Sequence, residues 1–316
     1  MSWRGRPTFI AFVVLPLLVC STASSQGAGS EISARLNNLV NDLMRITVML
    51  LALWCMTALA QQKFFPEQIG DLGFKRDPAT WSSPEGVVHD LHSKDATVRL
   101  KAMRLLGVNE DFFSTGGTPE EIDLRYTTFG FNDQTVAVIA VEQSSFQYAA
   151  VAILSAGTWT RLGVFECWCK YEAPLDDFVH VAPVVSGQRL ELQIIVRASG
   201  GGTGQYEQTE AWFRPRNGIL EPVLSFTSRQ RSCEPPSQPC AYERRWFDGN
   251  QLIEGKNPAM KFATHNAGTF REQLLGWAVE DNALKSLTCT PYRWDAANFK
   301  YTPSGPEHPC KYERPK

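Results

Sequence analysis

From about residue 120 onward the chain switches between apolar and polar residues at every second position, and short turn dipeptides interrupt it. Leu190, Leu192, Ile194 and Val196 alternate with Glu191, Gln193 and Arg197, the period of a strand with one face buried. Residues 135–141 are apolar on both faces and read as a central strand. Further strands are expected over 122–129, 146–154, 158–167, 178–185, 206–213, 219–226, 242–247, 260–264 and 270–279, then 292–294 with 299–301. Turn signals separate them: Asn132-Asp133, Ala156-Gly157, Ser186-Gly187, Asn217-Gly218 and Asp248-Gly249. The expectation is an α+β fold, mainly β, in which an antiparallel meander over 120–316 forms a sandwich or a curved sheet.

The stretch before the strands has a different period. Residues 61–83 carry Pro, Gly and scattered aromatics without periodicity and read as an extended lead-in. Ser83-Pro84-Glu85 is a helix start: a capping hydroxyl, a proline at the first position and an acid where the helix dipole favours one. The helical pair covers 84–107: a short first helix through Leu91, then a second over about 95–106 with Ser93 as cap and Gly107 as stop. Val98, Ala102, Leu105 and Leu106 fall on one face of the second. Residues 90–107, DLHSKDATVRLKAMRLLG, resemble a single HEAT-type helical repeat, in which an Asp-x-x-Val-Arg turn opens a helix ending in Leu-Gly. The resemblance spans 18 residues and no second copy follows. Solenoids need about three stacked repeats, so the apolar stripe is expected to dock on the meander, with Leu105 buried and Arg99 and Arg104 outward.

A longer repeat is also visible. Cys-x-Tyr-Glu occurs at 169–172, 240–243 and 310–313, and the last two copies extend to Pro-Cys-x-Tyr-Glu-Arg. GTGQYEQTEAW (202–212) can be laid on GTFREQLLGW (268–277), whereas 242–247 matches 292–294 at a different offset. Degenerate repeats of about 70 residues are one origin for the meander. Three copies fall short of the 4 to 8 blades of a usual propeller.

Residues 44–62, MRITVMLLALWCMTALAQQ, have the layout of a secretory signal: a charged start at Arg45, an apolar core and Ala58-Leu59-Ala60 at the cleavage positions. The apolar run is shorter than the roughly 20 residues of a membrane span. Residues 1–25 form a poorer second signal, and Cys20 a weak lipidation site behind the bulky Val19. The reading is a targeting region over 1–60, with translation starting at Met44 and 1–43 not translated, and an exported mature chain from Gln61. Of the 31 basic and 33 acidic residues, four and two respectively precede Gln61, which leaves 27 basic and 31 acidic. That mild acidity disfavours nucleic acid or an anionic membrane as partner. No second stretch is long and apolar enough for a transmembrane anchor.

Six cysteines remain beyond Gln61, an even number that suggests disulfides in an exported chain. Cys233 and Cys240 bracket a proline-rich loop and are expected to pair, as are Cys289 and Cys310 around the C-terminal hairpin. Cys167 and Cys169 are then left over; on a straight strand their Cα atoms sit about 6.5–7 Å apart, at the upper limit for a bridge. A repeat-based arrangement would instead join 167 to 233 or 169 to 240. A zinc site lacks a second close cysteine pair.

No catalytic, metal or cofactor constellation is legible, and no cofactor is expected. His89 and His92 share a helix face without further ligands. Gly200-Gly201-Gly202-Thr203-Gly204 lacks the Lys-Ser/Thr of a phosphate loop and reads as a hairpin loop. The adjacent acids Asp176-Asp177 and Glu120-Glu121 would point to opposite faces of a strand. The suggestive class is tryptophan: Trp159, Trp168, Trp212, Trp246, Trp277 and Trp294 fall on expected strands, where an exposed aromatic face could meet carbohydrate or protein. The functional expectation is a non-enzymatic binding or structural module of the cell envelope or exterior. The alternative is a secreted hydrolase whose acids meet only in the fold, and His180 or His265 beside an acid would favour it.

Overall fold

The two helices form where capping chemistry and apolar spacing coincide. In the computed structural model α1 spans Pro84–Leu91, and the Ser83 side chain accepts from the Gly86 N–H at 2.9 Å. Helix α2 spans Ala96–Leu106; its cap is Asp95, which accepts from the Thr97 N–H at 2.8 Å, rather than Ser93, which instead accepts from the Asp95 N–H. Gly107 ends α2 at φ 87°, a left-handed position where only glycine is unstrained. The structure describes residues 65–108, 123–131, 134–143, 146–167, 169, 175–186, 189–202, 205–233, 240–260 and 284–311. All belong to the unit Lys63–Lys316.

The N-terminal sheet has the order β1-β2-β7-β6-β5-β4, with β3 also pairing β7. Its strands are β1 Glu67–Ile69, β2 Leu72–Lys75, β3 Ala79–Trp81, β4 Asp123–Phe131, β5 Gln134–Gln143, β6 Phe146–Ser155 and β7 Thr158–Cys167. The central strands β5 and β6 are apolar on both faces because both faces are covered. On one side Ile139, Val141, Ala150 and Ala152 meet Val87, Leu91, Met103 and Leu106 of the helical pair. Burying each large side chain there stabilises the fold by roughly 1.5–3 kcal/mol. The buried Arg161 of β7 secures the helical pair: it donates to the C-terminal carbonyls of α2, at Arg104 and Leu105, and its Nη2 lies 2.8 Å from Asp77.

On the other side lies the C-terminal sheet, ordered β17-β16-β15-β14-β13-β12-β11-β8, with β18 pairing β16. After a short helix α3 (Leu175–Phe178) come β8 Val179–Val181, β9 Val184–Ser186, β10 Arg189–Glu191, β11 Ile194–Gly202, β12 Gln205–Arg216 and β13 Ile219–Ser232. They are followed by β14 Cys240–Asp248, β15 Gln251–Met260, β16 Ser286–Asp295, β17 Lys300–Pro303 and β18 His308–Pro309. Strands β9 and β10 form a small separate ladder. Asn217 and Gly218, both at positive φ, make the tight turn of the long β12–β13 hairpin. Phe213 of β12 meets Phe74 and Phe165 of the N-terminal sheet at ring-centroid distances of 5.2 and 4.8 Å, and Val138, Val151, Ile194 and Val196 complete this core. The layers run helices, sheet, sheet.

Several expectations need correction. The HEAT-type resemblance of 90–107 does not hold: α2 packs on a sheet of strands, and the described chain is mainly strand. The buried stripe of α2 is Ala102, Met103 and Leu106; Leu105 is only partly covered, while its backbone carbonyl accepts from Trp81 and Arg161. The lead-in is not a plain extended arm, since β1 to β3 join the sheet through β7. Asp176 and Asp177 sit on a helical turn, not a strand. Strand β15 replaces what read as 260–264 alone, and the segments 261–264 and 270–279 lie outside the described residues, as do Glu120 and Glu121.

Candidate functional site: a buried polar row leading to an aromatic–arginine surface

Strand β12 reads QYEQTEAWFRPR, and its register with β11 is unbroken from Gln205 to Phe213. Ala211 and Phe213 point into the core between the sheets, while Tyr206, Gln208, Glu210, Trp212 and Arg214 point the other way. This second face is polar yet equally buried, with Gln208 and Arg214 each 3 % exposed. Burying such groups requires partners for each. Gln208 donates to Ser199 Oγ at 3.3 Å and accepts from Ser228 Oγ at 3.0 Å. Glu210 receives Arg197 Nε at 2.8 Å on one oxygen and the Trp212 indole N–H at 2.7 Å on the other. Arg214 pairs with Glu191 and lays its guanidinium over the Trp294 ring, 4.4 Å from the centroid.

At the Trp212 and Arg214 end this row is covered by the sheet itself. Five strand spacings separate β12 from β17, about 24 Å in a flat sheet. Trp212 of β12 and Tyr301 of β17 are nonetheless 5.6 Å apart, so the C-terminal sheet curls until its last strands return over β12. Inside the curl Trp212 also meets Phe247 at 4.7 Å and Phe226 at 6.4 Å, and Phe247 meets Tyr292 at 5.3 Å. At the mouth Tyr301 and Phe299 each lie 5.1 Å from Trp294, and Arg216 sits 4.8 Å over Phe299. Phe299 is held at φ 51°. A left-handed conformation is a true outlier for a bulky residue and costs about 1–3 kcal/mol. The turn before it is fixed by Asp295, which accepts from the Ala297 N–H at 3.1 Å and the Asn298 amide at 2.7 Å.

A charged cluster adjoins the row at the β8 edge. Arg197 bridges two carboxylates, Glu210 and Asp177, at 2.8 and 2.7 Å, and His180 Nε2 lies 2.9 Å from the same Asp177 oxygen. Burial opposes the Asp177 charge, but the hydrogen bond from His180 and the Arg197 guanidinium outweigh it and hold the carboxyl below its ordinary range. Burial likewise opposes the Arg197 cation; Glu210 and Asp177 outweigh that and raise its pKa. A second cluster lies on β14 and β15, where Arg245 and Lys256 reach one Glu254 oxygen at 2.8 and 3.0 Å.

The structure divides the tryptophans singled out from sequence. Trp212 and Trp294 join one cluster through Tyr301. Trp159 lies on β7 beside the helical layer, paired across strands with Trp81. Trp246 alternates with Phe247 on β14 and lies under Arg244. Trp168 and Trp277 fall outside the described residues. Cysteines pair as Cys233–Cys240, Cys289–Cys310 and Cys167–Cys169; the last pair has its Cα atoms 5.2 Å apart, closer than on a straight strand and within bridging range. His89 and His92 are exposed and engage Asp90 and the Val88 carbonyl. Gly200 and Gly201 belong to β11, and a Cβ at Gly200 would meet Asp71 Oδ2 at 2.1 Å. Sequence reasoning missed Arg214, Arg216, Tyr301 and Phe299 as a group. The alternation of β12 hinted at Arg214, but nothing local brings β17 onto β12.

Comparison of the chain with protein-family models, curated proteins and solved structures finds no match. No family therefore stands behind the HEAT-type resemblance of 90–107.

Proposed function

We propose that the chain is an exported, disulfide-bonded binding module of the cell envelope or exterior, which meets a carbohydrate or protein ligand at the mouth of the curled sheet. One observation carries this reading: Phe299 is held in a strained conformation beside Trp294, Tyr301 and two arginines, where apolar burial alone would not require it. Strain of this kind persists where a side chain must be presented. Half-buried rings next to guanidinium donors suit sugar faces and peptide side chains. Export is supported by the signal layout of 44–60 and by three disulfides, which persist in oxidising compartments. N-terminal sequencing of the native protein should begin within about two residues of Gln61, as signal cleavage after small residues requires; a mature chain retaining residues 26–60 would contradict export by this route. For binding, the full chain is screened against polysaccharide and peptide panels by tryptophan fluorescence. The expected outcome is a ligand whose binding is lost in Trp294→Ala and Phe299→Ala while both variants keep their melting transition; a ligand indifferent to both would sink the assignment.

The hydrolase reading has one feature in its favour, the Asp177–His180 pair. Its chemistry runs the other way. A general acid needs a raised carboxyl pKa, and Asp177 is depressed; both carboxylates are clamped by one guanidinium. Among the described residues no hydroxyl or thiol is hydrogen-bonded to His180. Retention of polysaccharide or peptide turnover in wild type, abolished in His180→Ala, would restore that reading.

A further inference from the structure

We infer that β4 is a docking edge at which a second copy of this chain pairs antiparallel, merging the two N-terminal sheets across a two-fold axis. A sheet edge presents unpaired N–H and C=O groups, and natural edges are blunted by shortness, proline, lysine or bulges. Among the described residues the two large sheets end in four edge strands, of which three are short: β1 and β8 have three residues each and β17 has four. The fourth is β4, with nine residues. Its sequence DLRYTTFGF contains neither Pro nor Lys, and its register with β5 runs from Asp123 to Phe131 without a bulge. Thr127, Thr128 and Gly130 are exposed, and Phe129 is 38 % exposed, one of two large apolar side chains so exposed among the described residues.

The occupant follows from the strand's own sequence. An antiparallel pair centred on Thr127 places Thr127 opposite Thr127, Tyr126 opposite Thr128, and Arg125 opposite Phe129. Those are a hydroxyl pair, an aromatic–β-branched pair and a cation–ring pair, each favourable across strands. Like charges are kept apart, because Arg125 meets a phenylalanine rather than its own copy. The contact is isologous, so it closes at two subunits and leaves neither β4 edge free. Arg125 is anchored by Asp123 and by Asp176 of α3 at 2.6 and 3.1 Å, which fixes its position before pairing.

The test is the mass of the full exported chain by sedimentation velocity up to about 100 µM, a concentration at which a micromolar contact is populated. The expected result is a dimer that Thr127→Lys converts to monomer, because two ammonium groups would face each other on the axis, while Thr127→Val leaves it dimeric. Thr127→Cys should cross-link to its own copy under mild oxidation, since directly opposed residues sit about 4.5–5.5 Å apart. A wild-type monomer overturns the inference, and so does a dimer unaffected by Thr127→Lys with no cross-link through residue 127. As Thr127 is exposed, circular dichroism of each variant should match wild type.

Discussion

The N-terminal sheet and the far half of the C-terminal sheet, β13 to β17, are both antiparallel ladders, but they are held by different forces. Strands β5 and β6 are covered on both faces by aliphatic side chains, from the helices on one side and the second sheet on the other. Among the described residues β13 contributes only Leu220 to these two cores, and β14 to β17 contribute none. Their inner face carries half-buried rings and the Arg245–Glu254–Lys256 cluster, and two of the three disulfides, Cys233–Cys240 and Cys289–Cys310, fall in this region. A region with little aliphatic core needs covalent closure, as small secreted domains do. The same region bears the half-buried rings around Trp294 and the strained Phe299. Rigidity there comes from covalent and aromatic constraints, so a wettable surface can be kept in place without a thick core beneath it.

This contrast can be broken at its strongest point first. Phe213→Ala removes the ring that joins the two sheets and should lower stability by about 3–5 kcal/mol in a single transition, whereas Phe247→Ala, in the half-buried curl, should cost clearly less. Equal losses in urea melts would erase the distinction. Leu106→Ala, completely buried on α2, should cost about 2–5 kcal/mol and Lys101→Glu, at an exposed position, less than about 0.5 kcal/mol; a silent Leu106 variant would make the helices an independent arm. Replacing Cys289 and Cys310 by alanine opens a loop with a sequence separation of 21 and should lower stability by roughly 3 kcal/mol. Hydrogen exchange should place that loss in β14 to β17 and leave β5 and β6 protected.

The smallest effect concerns acid. Asp177 has a folded pKa below its unfolded value, so its contribution is complete above about pH 3.9 and disappears as pH falls through the lower folded value. Asp177→Asn should lower stability slightly near neutrality and flatten the acid limb below pH 4, as followed by melts across that range. A parallel acid limb in the variant would assign the dependence to other carboxylates.

What the sequence disclosed divides along the same line. Period-two alternation, paired turn residues and capping groups are local, and they located α1, α2, β5 to β7 and the β12–β13 hairpin. Residues 65–83 looked patternless because their ladder partner, β7, stands far along the chain, and three- and four-residue strands are too short to show a period. The site was less legible. Trp212 and Trp294 stood out by composition, but their meeting depends on the curl of a whole sheet, and Phe299 reads as an ordinary turn residue until its φ is known. Two of the disulfides could be anticipated from loop closure. The Cys167–Cys169 bond joins Cα atoms 5.2 Å apart, a separation that straight-strand geometry does not supply.

The pairing of β2 and β3 with β7 also bears on the order in which the molecule assembles. The Phe65 N–H donates to Glu166 across 101 positions, whereas β4 to β7 and β12 to β16 chiefly zip to the next strand in line. During synthesis β1 and β2 can form only their own short hairpin, and β2 and β3 wait for β7 while the helices and three hairpin strands appear. Closing so long a loop is slow compared with forming a hairpin. Until β7 arrives, Leu72 and Phe74 stay uncovered, a natural recognition point for a holdase and the moment at which the chain is most open to aggregation.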